Sequence, residues 1–282
     1  MTPAPTLVDI GLNLAHDSFD HDRSEVVAAA VASGVRHMVI TGSSLDSTRR
    51  AIELVRTNPA VFRATAGVHP HHASELRADD LLQLRELLAA PEIGAAGECG
   101  LDHFRNFSSH ADQERAFRWQ LELAVESGKP VFLHQRDGHD AFVAILKDYL
   151  PRLAGGVAHC FTGDGRELRD YLELGLSIGI TGWICDERRG QHLRELMREI
   201  PLDRLLVETD APYLLPRDLQ PRPAHRRNEP KFLPHVVKVI AACRGEDFAA
   251  VAAATTRNAL KFFGFPDAAA RQTQHQPLIT NH

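Results

Sequence analysis

The strongest constraint on this chain is a repeated alternation of short apolar runs with longer amphipathic stretches. Eight runs recur, at 7–10, 38–40, 64–67, 93–97, 131–133, 156–158, 176–180 and 205–207. Helical periodicity fills the intervals at 23–33, 46–56, 81–88, 112–126 and 193–198. Continuous apolar strands separated by helices belong to a parallel sheet covered on both faces. Eight strand–helix units in 282 residues predict an α/β fold of the (β/α)8 TIM-like barrel type. A doubly wound open sheet is the alternative, but no Gly-rich dinucleotide fingerprint follows an early strand. No boundary interrupts the pattern, so residues 1–265 are expected to form one domain. The polar, aperiodic segment 266–282 is expected to be a flexible tail.

Bulk properties exclude several classes. Hydrophobic residues make up 44%, enough for a full core, and the net charge of −5 argues against a uniformly basic nucleic-acid surface. Cys99, Cys160, Cys185 and Cys243 form no C-x-x-C pair, which suggests neither a zinc ribbon nor a disulfide framework. Neither a signal peptide nor an apolar run near the roughly 20 residues of a membrane span is visible. The expectation is a soluble, cytoplasmic protein with no membrane partner, with a monomer as the favoured state.

In a barrel the chemistry sits where strands end. The third run leads into His69-Pro70-His71-His72, the fourth into Glu98-Cys99-Gly100-Leu101-Asp102, and the fifth into His134-Gln135-Arg136-Asp137. The sixth ends at His159 and the eighth at Glu208-Thr209-Asp210, while Asp9 sits on the first. A single histidine after a strand is usually a hydrogen-bonded structural residue. Several imidazoles and carboxylates at one rim need a cation, because otherwise they repel or lose hydration without compensation. The best ligand trio is Glu98, His134 and His159. Asp210 is expected as a further ligand or as the base that holds the attacking water, against the plainer reading of a helix cap. His69 is open as ligand, acid or phosphate contact. Cys99 and Cys160 read as packing residues.

The proline-rich segment after the eighth run carries Arg217, Arg222, Arg226, Arg227 and Lys231 against Asp218 and Glu229. A basic loop beside a metal site favours a phosphate-bearing substrate. Aromatics are only 6% of the chain, yet Phe104, Phe107, Phe161, Trp183 and Tyr213 follow strand ends, where they either stack unpaired bases or pack the loops.

These residues lie in motifs that closely resemble the TatD family of metal-dependent deoxyribonucleases: AGVHPH at 66–71, GECGLD at 97–102, VFLHQRD at 131–137, HCFTG at 159–163, ITGWICDERRG at 180–190, ETDAPYLLPRDL at 208–219 and RRNEP at 226–230. The likeness spans about residues 6–265, and DIGLNL points to the TatD subgroup proper. It implies a barrel of the metal-dependent hydrolase type. It also implies hydrolysis of DNA phosphodiesters, 3′ to 5′ on single strands, with RNA as a further substrate and a link to repair of oxidised DNA. It places the metal on Glu98, His134 and His159, with His69 and Asp210 at the active site, and suggests magnesium; manganese and zinc also suit this donor set. The expected substrate contacts are Asn13, His71, Asp102, Arg136, Arg226 and Arg227.

Barrel hydrolases of this kind often end the first strand with two histidines, but here Gly11 and Asn13 occupy those places. The expectation is one firmly held cation and at most a weak second one near Asp9, Asn13 and Asp210. Two other functions remain in view: a hydrolase of aminoacyl-tRNA esters or of a small ester or amide, and a binding module without catalysis.

Overall fold

The computed structural model describes residues 6–265, so the expected tail at 266–282 lies outside the described residues. Eight strands form one parallel sheet in chain order: β1 (Leu7–Leu12), β2 (Val35–Ile40), β3 (Phe62–Ala66), β4 (Ile93–Asp102), β5 (Val131–Arg136), β6 (Gly156–Ala158), β7 (Ser177–Ile180) and β8 (Leu205–Val207). Each expected run is a strand, and β4 extends five residues past its apolar run, through Asp102. The first and last strands meet at the rim. Leu12 bridges Ala211 in parallel, Asn13 N–H donates to Ala211 O at 2.9 Å, and Asp210 N–H donates to Gly11 O at 2.8 Å. Consecutive order, parallel pairing and this seam make the (β/α)8 barrel.

Helices α1 (Arg23–Ala32), α2 (Leu45–Thr57), α3 (Asp80–Leu88), α4 (His110–Ser127), α5 (His139–Tyr149), α6 (Gly165–Glu173), α7 (Gln191–Leu196), α8 (Leu233–Arg244) and α9 (Phe248–Phe262) surround it. Local chemistry starts and stops them. Ser44 and Ser47 form a reciprocal capping box on α2, and Asp164 and Glu167 do the same on α6. Gly128 ends α4 in the left-handed region at φ 64°. Among the described residues no helix is long and apolar enough to cross a membrane.

The core has two layers. The larger cluster fills the space between strands and helices, with Phe19, Phe117, Phe142 and Tyr171 as its bulkiest members. The smaller one gathers Val8, Ile10, Val39, Ala95, Phe132, Val157 and Leu206 from six strands, which makes it the barrel interior. Phe263 and Phe265, just beyond α9, plug it from below. Each fully buried aromatic is worth roughly 1.5–3 kcal/mol of transfer free energy.

Candidate active site and metal centre

The interior plug sets the rim chemistry through the period of two along a strand. Phe132, Val157 and Leu206 face the barrel axis, so the next residues on that face are His134, His159 and Glu208. They rise above the apolar plug with a further turn of chain, Asp210, behind them. Cys160 and Asp210 sit at φ 47° and 54°, a left-handed conformation that bulky residues seldom adopt and that recurs where loops are held for function.

Three imidazoles converge on one carboxylate oxygen. Glu98 Oε1 lies 3.0 Å from His134 Nδ1, 3.0 Å from His159 Nε2 and 3.4 Å from His69 Nε2. Glu98 is buried, and burial raises its pKa, but the three imidazoles more than reverse that and hold it well below the usual carboxylate range. Two of the imidazoles have a second carboxylate behind them. His159 Nδ1–H donates to Glu208 Oε2 at 2.9 Å, and His134 Nε2 points toward Asp102 Oδ2 at 3.4 Å. Burial opposes protonation of both rings, yet Glu208 and Glu98 raise His159 well above its ordinary value, and Asp102 and Glu98 raise His134.

His69 differs. Its Nδ1 accepts the His71 backbone N–H at 3.1 Å, which leaves the ring's proton on Nε2, facing Glu98. Burial lowers its pKa to about 4, so this ring is neutral and offers an N–H rather than a lone pair to the pocket.

The donor set fits a divalent cation. Glu98, His69 and His134 place ligand-type atoms within 4.8 Å of one another, and His159 joins through Glu98. His134 faces Glu98 with Nδ1, while its buried Nε2 is held only loosely, 3.4 Å from Asp102 Oδ2. The partners of His69 and His159 sort the ligands. Only His159, with Nδ1–H on Glu208, and His134, with Nε2–H aimed at Asp102, would on losing their other proton turn a lone pair toward Glu98, as carboxylate–histidine–metal arrangements require.

Glu208 was visible in the sequence but carried no assigned role. It is fully buried and also accepts Cys160 N–H at 2.5 Å. A Cβ at Gly11 would collide with Glu208 Oε2, and one at Gly179 with Oε1. The glycine in place of a first-strand histidine therefore makes room for the Glu208 carboxylate that orients His159. Asp9 is equally committed: its oxygens accept Thr209 N–H at 2.9 Å, Thr209 Oγ1–H at 2.5 Å and Gly11 N–H at 3.3 Å. Asp9 therefore serves as a hydrogen-bonded anchor of the β8–β1 seam. Asn13 Nδ2–H donates to Asp210 Oδ1 at 3.1 Å. Burial, with Glu98 and Glu208 nearby, pushes the Asp210 carboxyl up to about 7. No helix starts there, so the cap reading fails.

Several expected substrate contacts are spent inside the protein. Asp102 is buried, with Oδ2 on His71 Nε2 at 2.8 Å and Oδ1 accepting the N–H groups of Phe104 and Arg105 at 3.1 and 2.8 Å, contacts that orient the histidine and the following turn. Arg227 donates to Asp22 at 2.5 and 2.9 Å, to Glu229 at 3.1 Å and to Ser18 O at 2.6 Å, which consumes its fork. Lys231 pairs with Glu229 at 2.6 Å, and Arg217 faces Asp186 and Glu187 at 3.7 and 3.6 Å. Arg222 and Arg226 stay exposed. His71 is half-buried against Phe107, and the Arg136 guanidinium covers the Phe104 ring at 3.9 Å. Phe104, Phe107 and Tyr213 are 54, 65 and 52% exposed, whereas Phe161 is buried and Arg189 covers Trp183 at 4.3 Å.

Comparison with known proteins follows the same outline. The family model described as TatD related DNase matches residues 8–264. A protein of Erwinia billingiae named "3'-5' ssDNA/RNA exonuclease TatD" is 53% identical over 260 residues, covering 92% of this chain and all of the relative. The Erwinia amylovora protein of the same name is 54% identical over 258 residues, with 92% and 100% coverage. Among solved structures, a TatD homologue from Escherichia coli superposes with a TM-score of 0.83 at 28% identity, covering 92% of this chain and 98% of that one. A TatD family hydrolase from Entamoeba histolytica gives 0.84 at 26%, with 93% and 99% coverage. Barrel, family match and near-complete coverage agree, and the chain belongs to the TatD related DNase family.

Proposed function

We propose that this chain is a metal-dependent 3′-to-5′ exonuclease that hydrolyses phosphodiesters of single-stranded DNA or RNA, with Glu98, His134 and His159 as the metal ligands. The observation that carries the reading is the convergence of three imidazoles on Glu98 Oε1, two of them backed by carboxylates. Magnesium is the expected ion, with phosphate oxygens supplying the hard donors that two imidazoles lack; manganese and zinc suit the same set. When bound, a divalent cation supplies Lewis-acid stabilisation of charge on the phosphate.

The chain's own groups do the rest. Asp210, with Oδ1 held by Asn13 and a carboxyl near neutrality, takes the proton of the attacking water. His69 Nε2–H donates to a phosphate oxygen. Glu208 and Asp102 hold the tautomers of His159 and His134. Arg136, Arg222 and Arg226 attract the polyanion, and the exposed rings of Phe104, Phe107 and Tyr213 offer stacking faces to unpaired bases. Single strands labelled at either end test this directly. The expected result is mononucleotide release from the 3′ end, abolished by EDTA; undiminished cleavage in EDTA, or hydrolysis of aminoacyl-tRNA esters in place of DNA, would overturn it.

A further inference from the structure

A second group of metal-type donors lies away from Glu98, where the segment between β8 and α8 returns to the barrel. Cys185, from the turn after β7, Asp218, from the basic loop, and His235, on the first turn of α8, bring ligand atoms within 4.8 Å of one another. Asp218 Oδ1 accepts from His235 Nε2 at 2.7 Å, and the Cys185 sulfur lies within 4.8 Å of ligand atoms of both. Cys185 is fully buried at the margin of the larger apolar cluster, where a carboxylate and an imidazole also reach its sulfur. Arg194 holds the other oxygen, Oδ2, at 3.5 Å and is itself tied to Ile184 O at 2.9 Å, which fixes the carboxylate with Oδ1 toward His235.

We propose that Cys185, Asp218 and His235 form a second, structural cation site for a borderline-soft ion such as zinc. One sulfur, one nitrogen and one oxygen match zinc, while the rim trio contains no sulfur and suits harder ions. Cys243 lies two turns beyond His235 on α8, about 12 Å along the axis, and is too far to share an ion with it. Binding converts the thiol to a thiolate and releases its proton to solvent, so Cys185 and Asp218 together balance the dication. The physical consequence is a clip. The loop 208–229 has no helix or strand and only one bridging residue, Ala211, against β1. Its far end is fixed by Arg227 on Asp22, and Asn228 donates to Thr209 O at 2.9 Å. A cation at Asp218 would pin its middle, so that Arg222 and Arg226 are held between two anchors. The competing account is a plain hydrogen-bonded network in which Arg194, His235 and the thiol satisfy Asp218 without any ion.

Cobalt(II) titrated into metal-free full-length protein separates the two, because thiolate ligation gives a near-ultraviolet charge-transfer band that the rim donors cannot. The site predicts one such band per chain, lost in Cys185→Ala and retained in Cys160→Ala. Asp218→Asn, half-exposed and safer for folding, should weaken cobalt at this site by at least about tenfold while circular dichroism is unchanged. Absence of the band in folded wild type, its survival in Cys185→Ala, or unaltered cobalt affinity in Asp218→Asn would each overturn the site. None of these readouts depends on nuclease activity.

Discussion

The two halves of the barrel rim use buried carboxylates in opposite ways. On the β3–β6 side, Glu98 meets three imidazoles at a single oxygen, and His134 keeps a buried nitrogen without a proper partner. On the β8–β1 side, every carboxylate oxygen of Asp9 is taken by Thr209 and Gly11, and Glu208 is divided between His159 and the Cys160 backbone. Burial is similar on both sides. What distinguishes the two sides is the convergence of several imidazoles on one shared point. The histidine-free first strand is therefore the supporting wall of the proposed metal site: Gly11 clears the volume that Glu208 occupies, and Glu208 aims His159.

The largest expected effect falls on the ligand half. Glu98→Ala should cut kcat by more than about 100-fold, beyond what loss of an orienting partner costs, with an unchanged melting temperature in metal-free protein; an active variant would erase the distinction between the halves. Glu208→Gln tests the wall. It should lower metal affinity or activity by about 10–100-fold, through misdirection of His159, and an effect as small as at an exposed residue would leave Glu208 as mere packing. Gly11→Ala strikes the same wall from the other strand. Overpacking against the carboxylate should destabilise the protein by roughly 1–3 kcal/mol, read by denaturant unfolding, and should weaken metal binding too.

Asp9 gives a pH signature for the scaffold half. Burial, only partly offset by the hydrogen bonds from Thr209, raises its carboxyl from an ordinary 3.8 to about 7. The folded state then binds this proton more tightly than the unfolded chain does. Its contribution is full below pH 3.8 and is lost as pH rises toward about 7. Unfolding measured across that window should show stability falling with pH more steeply in wild type than in Asp9→Asn; identical slopes would mean that the carboxylate is not strained by burial. The smallest effect should come from the loop. Arg226→Ala is expected to raise KM a few-fold and reduce its salt sensitivity by about one phosphate contact. Arg227→Ala should lower stability while KM moves little, because its partners are Asp22 and Glu229.

The barrel and the gathering of polar side chains at its rim were legible because both follow from local pattern: a strand is an apolar run, and the polar residue that ends it stands at the rim. Glu98, His134 and His159 needed no more than that. Glu208 was hidden, although counting two residues on from the interior Leu206 would have aimed it inward, because its meaning lies in two glycines on neighbouring strands. Arg227 misled for the same reason: its partner Asp22 is 205 residues away, and a basic run looks equally basic whether its charges are paired or free. Asp102, four residues beyond Glu98 on β4, can contact substrate or orient a ligand as far as sequence goes; tertiary geometry brings His71 and His134 against it. Phe161 fell to burial against Tyr171.

The central claim is that the catalytic cation is held by the β3–β6 half of the rim, oriented from the β8–β1 half. Calorimetric titration of manganese, a hard to borderline ion with little preference for sulfur, into metal-free protein tests it most directly, with Glu98→Ala and Asn13→Ala alongside. One tight site per chain is expected, abolished in Glu98→Ala and preserved in Asn13→Ala. Two equally tight sites, or a tight site that survives Glu98→Ala and disappears in Asn13→Ala, would contradict it.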